Sequence, residues 1–137
     1  MKTPSEERSR IMRAVKDRNT GPELKVRRMA HAMGFRFRLY RKDLPGKPDL
    51  VFPRLRKALF VHGCFWHGHE CARGARIPAD NRSYWVNKIA RNKGRDEVAL
   101  KDLKILGWKT LVIWECELRD SAQLRNRLRR FLKTSPN

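Results

Sequence analysis

The spacing of apolar residues changes several times along the chain, and each change marks an element. Thr3, Pro4 and Glu6 fit the N-cap, N1 and N3 positions of a helix start. A helix over 4–17 follows, with Ile11, Met12 and Val15 on one side among Arg8, Arg10, Arg13, Lys16 and Arg18. So thin an apolar stripe packs weakly in a core, and this helix is expected to lie on a partner. Thr20, Pro22 and Glu23 open a second helix in the same way; its Val26, Met29, Ala30 and Met33 recur at helical spacing, and Gly34 stops it. Residues 35–39, FRFRL, alternate as a half-buried strand does. After a Pro/Gly turn at 45–48, short strands are expected at 49–52 and 58–62, and the three strands fit an antiparallel meander. A long helix over 83–106, capped by Asp80 or Asn81, carries Trp85, Ile89, Leu100, Leu103 and Leu106 and ends at Gly107. The nearly continuous apolar run WKTLVIW, 108–114, reads as a buried strand. A last helix starts at Asp120, with Gln123 at N3, and buries Leu124, Leu128, Phe131 and Leu132. The order α-α-β-β-β-α-β-α predicts an α/β or α+β chain: one mixed sheet with helices on it, the long helix serving as the crossover to a parallel strand.

Length and charge narrow this picture. With 137 residues the chain suits one domain, 1–137. Lys and Arg number 33 against 14 acids, a formal net charge of +19. Basic residues run from Arg8 to Lys133 rather than massing in a tail, so the basic surface belongs to the fold and its partner is expected to be a polyanion. No apolar run approaches the ~18 residues of a membrane span, and the polar N-terminus does not read as a signal peptide. Three cysteines, an odd number, argue against a disulfide framework and for a metal in a reducing compartment.

Candidate chemistry concentrates in VHGCFWHGHEC, residues 61–71. Cys64, His69 and Cys71, joined by Cys116 just past the 108–114 strand, make a closed set of three thiolates and one imidazole that suits structural zinc. Spacing leaves open whether His67 takes the place of His69, and also whether the cysteines are simply small buried residues. Asp49, at a strand start beside the strand that ends in His62, is a candidate carboxylate for Mg²⁺, with the main-chain carbonyl of Val61 as a second oxygen. His62 and His67 then stand near enough to act as acid, base or phosphate contact. Metal, carboxylate, histidine and a basic surface together suit phosphodiester hydrolysis. Taken alone, Asp49 also reads as a turn cap and Glu23 as a capping-box residue. Phe65 and Trp66 are awkward as core inside a polar loop and resemble wedges that unstack bases.

These residues carry a resemblance. LPGKPDLV (44–51), HGCFWH (62–67) with His69 and Cys71, WVNKI (85–89), LGW (106–108) and VIWEC (112–116), in that order, resemble the very short patch repair DNA mismatch endonuclease family. The resemblance implies a restriction-endonuclease-like core. It also implies an Mg²⁺-dependent nick of one strand of double-stranded DNA, 5′ of the thymine in T·G mismatches left by deamination of 5-methylcytosine. Asp49 resembles the metal-binding Asp, His62 and His67 the catalytic histidines, and Glu23 an acidic helper. Cys64, His69, Cys71 and Cys116 resemble the zinc ligands. Phe65, Trp66 and Trp85 resemble the aromatic wedge, and Met12 an intercalating residue of the first helix. A bacterial, cytoplasmic, nucleoid-associated monomer that works with other mismatch-repair proteins is the corresponding expectation. Val61 departs from a Thr in the family pattern, and Gly68 and Glu70 depart from His. Two other readings compete: a zinc-bearing DNA- or RNA-binding module without activity, and a restriction enzyme that cuts both strands.

Overall fold

The computed structural model describes residues 21–71 and 75–133. The helix expected at 4–17, with Met12, lies outside them. The sheet is built on β3, Lys57–His62, whose residues are buried except for half-buried Val61. β2, Leu50–Phe52, pairs antiparallel with it, Leu50 opposite Leu59. β1, Arg38–Leu39, pairs antiparallel with β2. On the other side β4, Lys109–Trp114, runs parallel to β3, with His62 opposite Trp114. The order β1-β2-β3-β4 is the expected meander plus a parallel strand. A parallel pair needs a long crossover, and α2, Arg82–Ile105, supplies it.

α1, Gly21–Ala32, and α3, Ser121–Lys133, cover one face. Val26 and Ala30 of α1 meet Leu124, Leu128 and Leu132 of α3 over Leu50, Phe52, Leu59 and Ile113. The Asp120 side chain accepts the Gln123 N–H at 3.1 Å, as the start of α3 predicts. α2 covers the other face, where Leu103 meets Leu44, Val51, Ala58 and Phe60. Successive strand residues point to opposite faces, so His62 shares the α2 face with Ala58 and Phe60. Gly46 fastens the 45–48 turn against this helix. Its φ is +75°, and a Cβ there would fall 2.6 Å from the Cβ of Ala99.

Four expectations need correction. The 35–39 strand shortens to two residues, because its register would set Arg36 opposite Pro53, which has no N–H and starts a 3₁₀ turn, Pro53–Leu55. Phe35 and Phe37 still pack on the core. β4 is not a fully buried strand: only Ile113 is buried, since β4 is an edge strand among the described residues. Asn81 precedes α2 but makes no side-chain cap; it adopts a left-handed φ of +58° instead. Leu106, at the end of α2, is 51% exposed rather than core.

Candidate active site and metal centre

Glu23 and Asp49 reach the site from different elements. Glu23 lies in the first turn of α1, and Asp49 immediately precedes β2. The Val61 N–H donates to Asp49 Oδ2 at 2.7 Å, which fixes the carboxylate beside the end of β3. Burial pushes the Asp49 carboxyl up to about 7; the Val61 N–H opposes the rise, and a hydrogen bond with Glu23 and its charge add to it. Glu23 itself is buried and accepts from Arg27 at 2.7 Å and from the Tyr40 hydroxyl at 2.5 Å. Tyr40 reaches it from φ +53°, a backbone conformation rare for a bulky side chain. Glu23 is therefore more than a capping residue. Two carboxylates facing each other in one cleft must share a proton or a cation.

The histidines form the opposite wall. His62 and His67 are stacked, ring centroids 3.8 Å apart and planes within 2°. Burial holds the His62 imidazole down to about 4; neighbouring His67 adds to the fall and Asp96 opposes it. Nδ1 of His67 lies 2.6 Å from Asp96 Oδ2 on α2. Both histidines, Asp96, Asp49 and Glu23 line one cavity of about 530 Å³. Asp96 is the residue that sequence reasoning missed. Its signal was present: Trp85, Ile89, Asn92, Asp96, Ala99 and Leu103 form one helical stripe, interrupted by two polar residues.

Past His62 the chain turns on itself, His69 N–H donating to the Cys64 carbonyl at 2.9 Å. Gly68, at φ +63°, lets this turn lie on α2; a Cβ would stand 2.7 Å from Ile89 Cγ2 and Lys93 Cδ. The departure from His at this position thus has a local reason. The turn sends His67 toward His62 and His69 toward Cys116, whose Sγ is 3.5 Å from His69 Nδ1. One donor atom each from Cys64, His69, Cys71 and Cys116 lies within 4.8 Å of the others, a set that could hold a metal ion. Burial pushes the Cys64 thiol up to about 12; the Cys116 N–H opposes, and the Cys71 and Cys116 side chains add. Trp114 stacks on His69 at 4.2 Å and ties the group to β4.

Phe65, Trp66 and Trp85 make a mutual edge-to-face triad, with centroids 5.1 to 5.8 Å apart. All three are half-buried. Asn92 holds the Trp66 carbonyl at 2.8 Å, and the Lys88 ammonium sits 5.4 Å from the Trp66 ring. Trp66 and Lys88 line the same cavity as the carboxylates.

A family model described as "DNA mismatch endonuclease Vsr" matches residues 2–73. The chain is 39% identical over 117 residues to the "DNA mismatch endonuclease Vsr" of Escherichia coli, covering 85% of this chain and 74% of that protein. The chain belongs to the Vsr family. It is also 49% identical over 130 residues to the "Type II nicking enzyme V.XorIIP" of Xanthomonas oryzae pv. oryzae, 95% of each chain. A "Type II nicking enzyme V.NmeAIP" of Neisseria meningitidis is 40% identical over 126 residues, 92% of this chain and 89% of that one. The Vsr membership makes the shared cavity, with its carboxylates, histidines and aromatics, the candidate site for a nuclease.

Proposed function

We propose that this Vsr-family endonuclease is Mg²⁺-dependent and nicks one strand of duplex DNA on the 5′ side of the thymine in a T·G mismatch, where 5-methylcytosine has been deaminated. The observation that carries this reading is the convergence of Asp49 and Glu23 with His62 and His67 on one cavity. On this reading the mixed sheet and its helices are a restriction-endonuclease-like core.

The residues fit the ions. Asp49 and Glu23 offer the hard oxygens that Mg²⁺ prefers, and a cation there would offset the charge that burial, with Glu23 adding to it, disfavours on Asp49. A residue's N–H and C=O leave a strand on the same side, so the Val61 carbonyl faces the Asp49 side and is a third oxygen. Mg²⁺ held there would offset charge on the scissile phosphate and the leaving oxygen. Cys64, His69, Cys71 and Cys116 suit a closed structural zinc, pinning the 61–71 turn to β4.

The chain's own groups do the rest. Asp96 fixes a proton on His67 Nδ1 and leaves Nε2 to take a proton from the attacking water. His62, kept uncharged by burial, faces the phosphate as a neutral hydrogen-bonding group. Phe65, Trp66 and Trp85 wedge into the stack, with Met12 from the other side of the duplex. A mismatched pair costs less to open than a paired one, and that difference selects the substrate. Basic side chains neutralise phosphates and set the register.

A nicking assay on duplexes with and without one T·G mismatch, with Mg²⁺ or chelator, tests this. Asp49→Ala should lose nicking by on the order of 10³-fold while keeping mismatch binding. Nicking by that variant at the parent rate refutes the Mg²⁺ assignment, and cleavage of both strands of paired DNA refutes the repair reading.

A further inference from the structure

Glu23 is held more firmly than the start of a helix requires. The Tyr40 hydroxyl and the Arg27 guanidinium both donate to the same oxygen, Oε2, at 2.5 and 2.7 Å. Arg27 also donates to the Tyr40 hydroxyl and lies over its ring, 5.4 Å from the centroid. The three groups close a ring of hydrogen bonds in which each bond polarises the next. This clamp is kept at two costs. Tyr40 sits at φ +53°, a conformation that persists for a bulky side chain only where its surroundings over-determine it. Nε of Arg27 is sealed from solvent without a hydrogen-bond partner among the described residues, and buried polar atoms are rarely left this way.

We propose that Tyr40 and Arg27 are positioning residues that hold Glu23 to one-oxygen coordination, so that the cavity selects a small octahedral cation over Ca²⁺. The inference rests on the reading above, in which Glu23 and Asp49 hold Mg²⁺, and adds what chooses the ion. With two donors on Oε2, Glu23 offers a cation Oε1 without giving either of them up. A grip through both oxygens has to break the clamp. Ca²⁺ takes roughly six to eight oxygens and often grips a carboxylate through both, whereas Mg²⁺ keeps near-ideal octahedral geometry, several waters and one or two carboxylates. Mn²⁺ shares the preference for octahedral oxygen. Glu23 and Asp49 come from separate elements, α1 and the residue before β2. An unclamped Glu23 side chain would turn to fit a larger ion, and Tyr40 with Arg27 prevents that.

The full-length protein, its thiols loaded with Zn²⁺, is titrated with Mn²⁺, the unbound ion counted by electron paramagnetic resonance, and separately with Ca²⁺, read by calorimetry. Asp49→Ala marks the ion that belongs to the carboxylate pair. Tyr40→Phe keeps the ring beneath Arg27 and removes only the hydroxyl; Arg27→Met removes the other donor. Losing a hydrogen bond that orients a metal ligand weakens binding about 10- to 100-fold. Each variant should therefore weaken the Asp49-dependent Mn²⁺ by about tenfold or more and Ca²⁺ by less, so the ratio of the two affinities falls. In the nicking assay, the Mg²⁺ concentration for half-maximal rate should rise in step, with a smaller change at saturating Mg²⁺. A purely structural clamp lowers the urea midpoint and leaves the Mn²⁺-to-Ca²⁺ ratio alone; an unchanged ratio in Tyr40→Phe overturns the inference while Mg²⁺ stays on the pair. Mn²⁺ uptake indifferent to Asp49→Ala overturns the Mg²⁺ reading itself, and this inference with it.

Discussion

α3 covers its face of the sheet with Leu124, Leu128 and Leu132, leucines four residues apart and each at most 2% exposed. α2 is 24 residues long against 13, yet buries only Ile89, Ala99 and Leu103. Between Ile89 and Ala99 its inward positions carry Asn92 and Asp96. Asn92 holds the Trp66 carbonyl and Asp96 holds His67. The cavity with the histidines and carboxylates opens where α2 stops packing and starts to hydrogen-bond. The two faces therefore answer to different physics. One is a close-packed layer in which volume matters. On the other, helix side chains orient a loop that has little apolar packing of its own.

The comparison breaks or holds on substitutions that should separate stability from activity. Leu128→Ala, on the packed face, should cost about 2–5 kcal/mol of unfolding free energy while leaving nicking per folded molecule unchanged. Urea unfolding and the mismatch assay read the two halves. A large loss of activity without loss of stability would mean that the packed face also shapes the site. The reverse experiment is Asp96→Leu, which removes one of the two polar breaks in the apolar stripe of α2. Its stability should move by no more than about 1 kcal/mol, while nicking should fall roughly 10- to 100-fold because His67 loses the partner that sets its tautomer. A stable and fully active variant would return Asp96 to a surface ion pair.

The elements with a clean period are legible in the amino-acid pattern alone. The α1 and α3 stripes, the stop at Gly34, the start at Asp120, and the two strands that follow the 45–48 turn appear close to where the pattern sets them. Pairing partners are not legible there. The loss of the strand at 35–37 depends on Pro53, and the exposure of β4 on its place in the sheet. At the site, the thiol cluster announces itself by residue type, whereas Glu23 looks like a cap because its partners Tyr40 and Asp49 are distant in sequence. The ambiguity between His67 and His69 is also a matter of tertiary structure, since it is a turn lying on α2 that points the two rings apart.

A smaller effect is expected from the aromatic triad, which sits at the border of the two regimes. Phe65→Ala with Trp66→Ala removes side chains that pack on one another and on Trp85 but contribute nothing to either buried cluster. Folding should change little, and the preference for mismatched over paired duplex should fall by about tenfold, the scale of losing one base-stacking contact. Competition binding with the two duplexes measures this. An unchanged preference together with a large loss of stability would assign the triad to the core.

The smallest effect is a pH slope, and it tests the polar face directly. The Asp49 carboxyl rises from its ordinary 3.8 to about 7 in the folded chain. The stability it contributes is therefore complete below about 4 and is lost as pH rises through about 7. His62 is shifted the other way, from 6.5 to about 4. Its contribution is present above about 6.5 and is lost as pH falls through about 4. In protein with loaded thiols but no Mg²⁺, the two slopes oppose each other between pH 4 and 7, and stability from these groups should be nearly level. Asp49→Asn removes one slope, so its urea midpoint should climb with pH across that window. Mg²⁺ should restore the climb in the parent protein, because it replaces the proton on the carboxylate pair and binds more tightly as pH approaches 7. A level profile in Asp49→Asn would mean that His62 is not shielded from water, and the face that carries the chemistry would then be a solvated surface rather than a cavity.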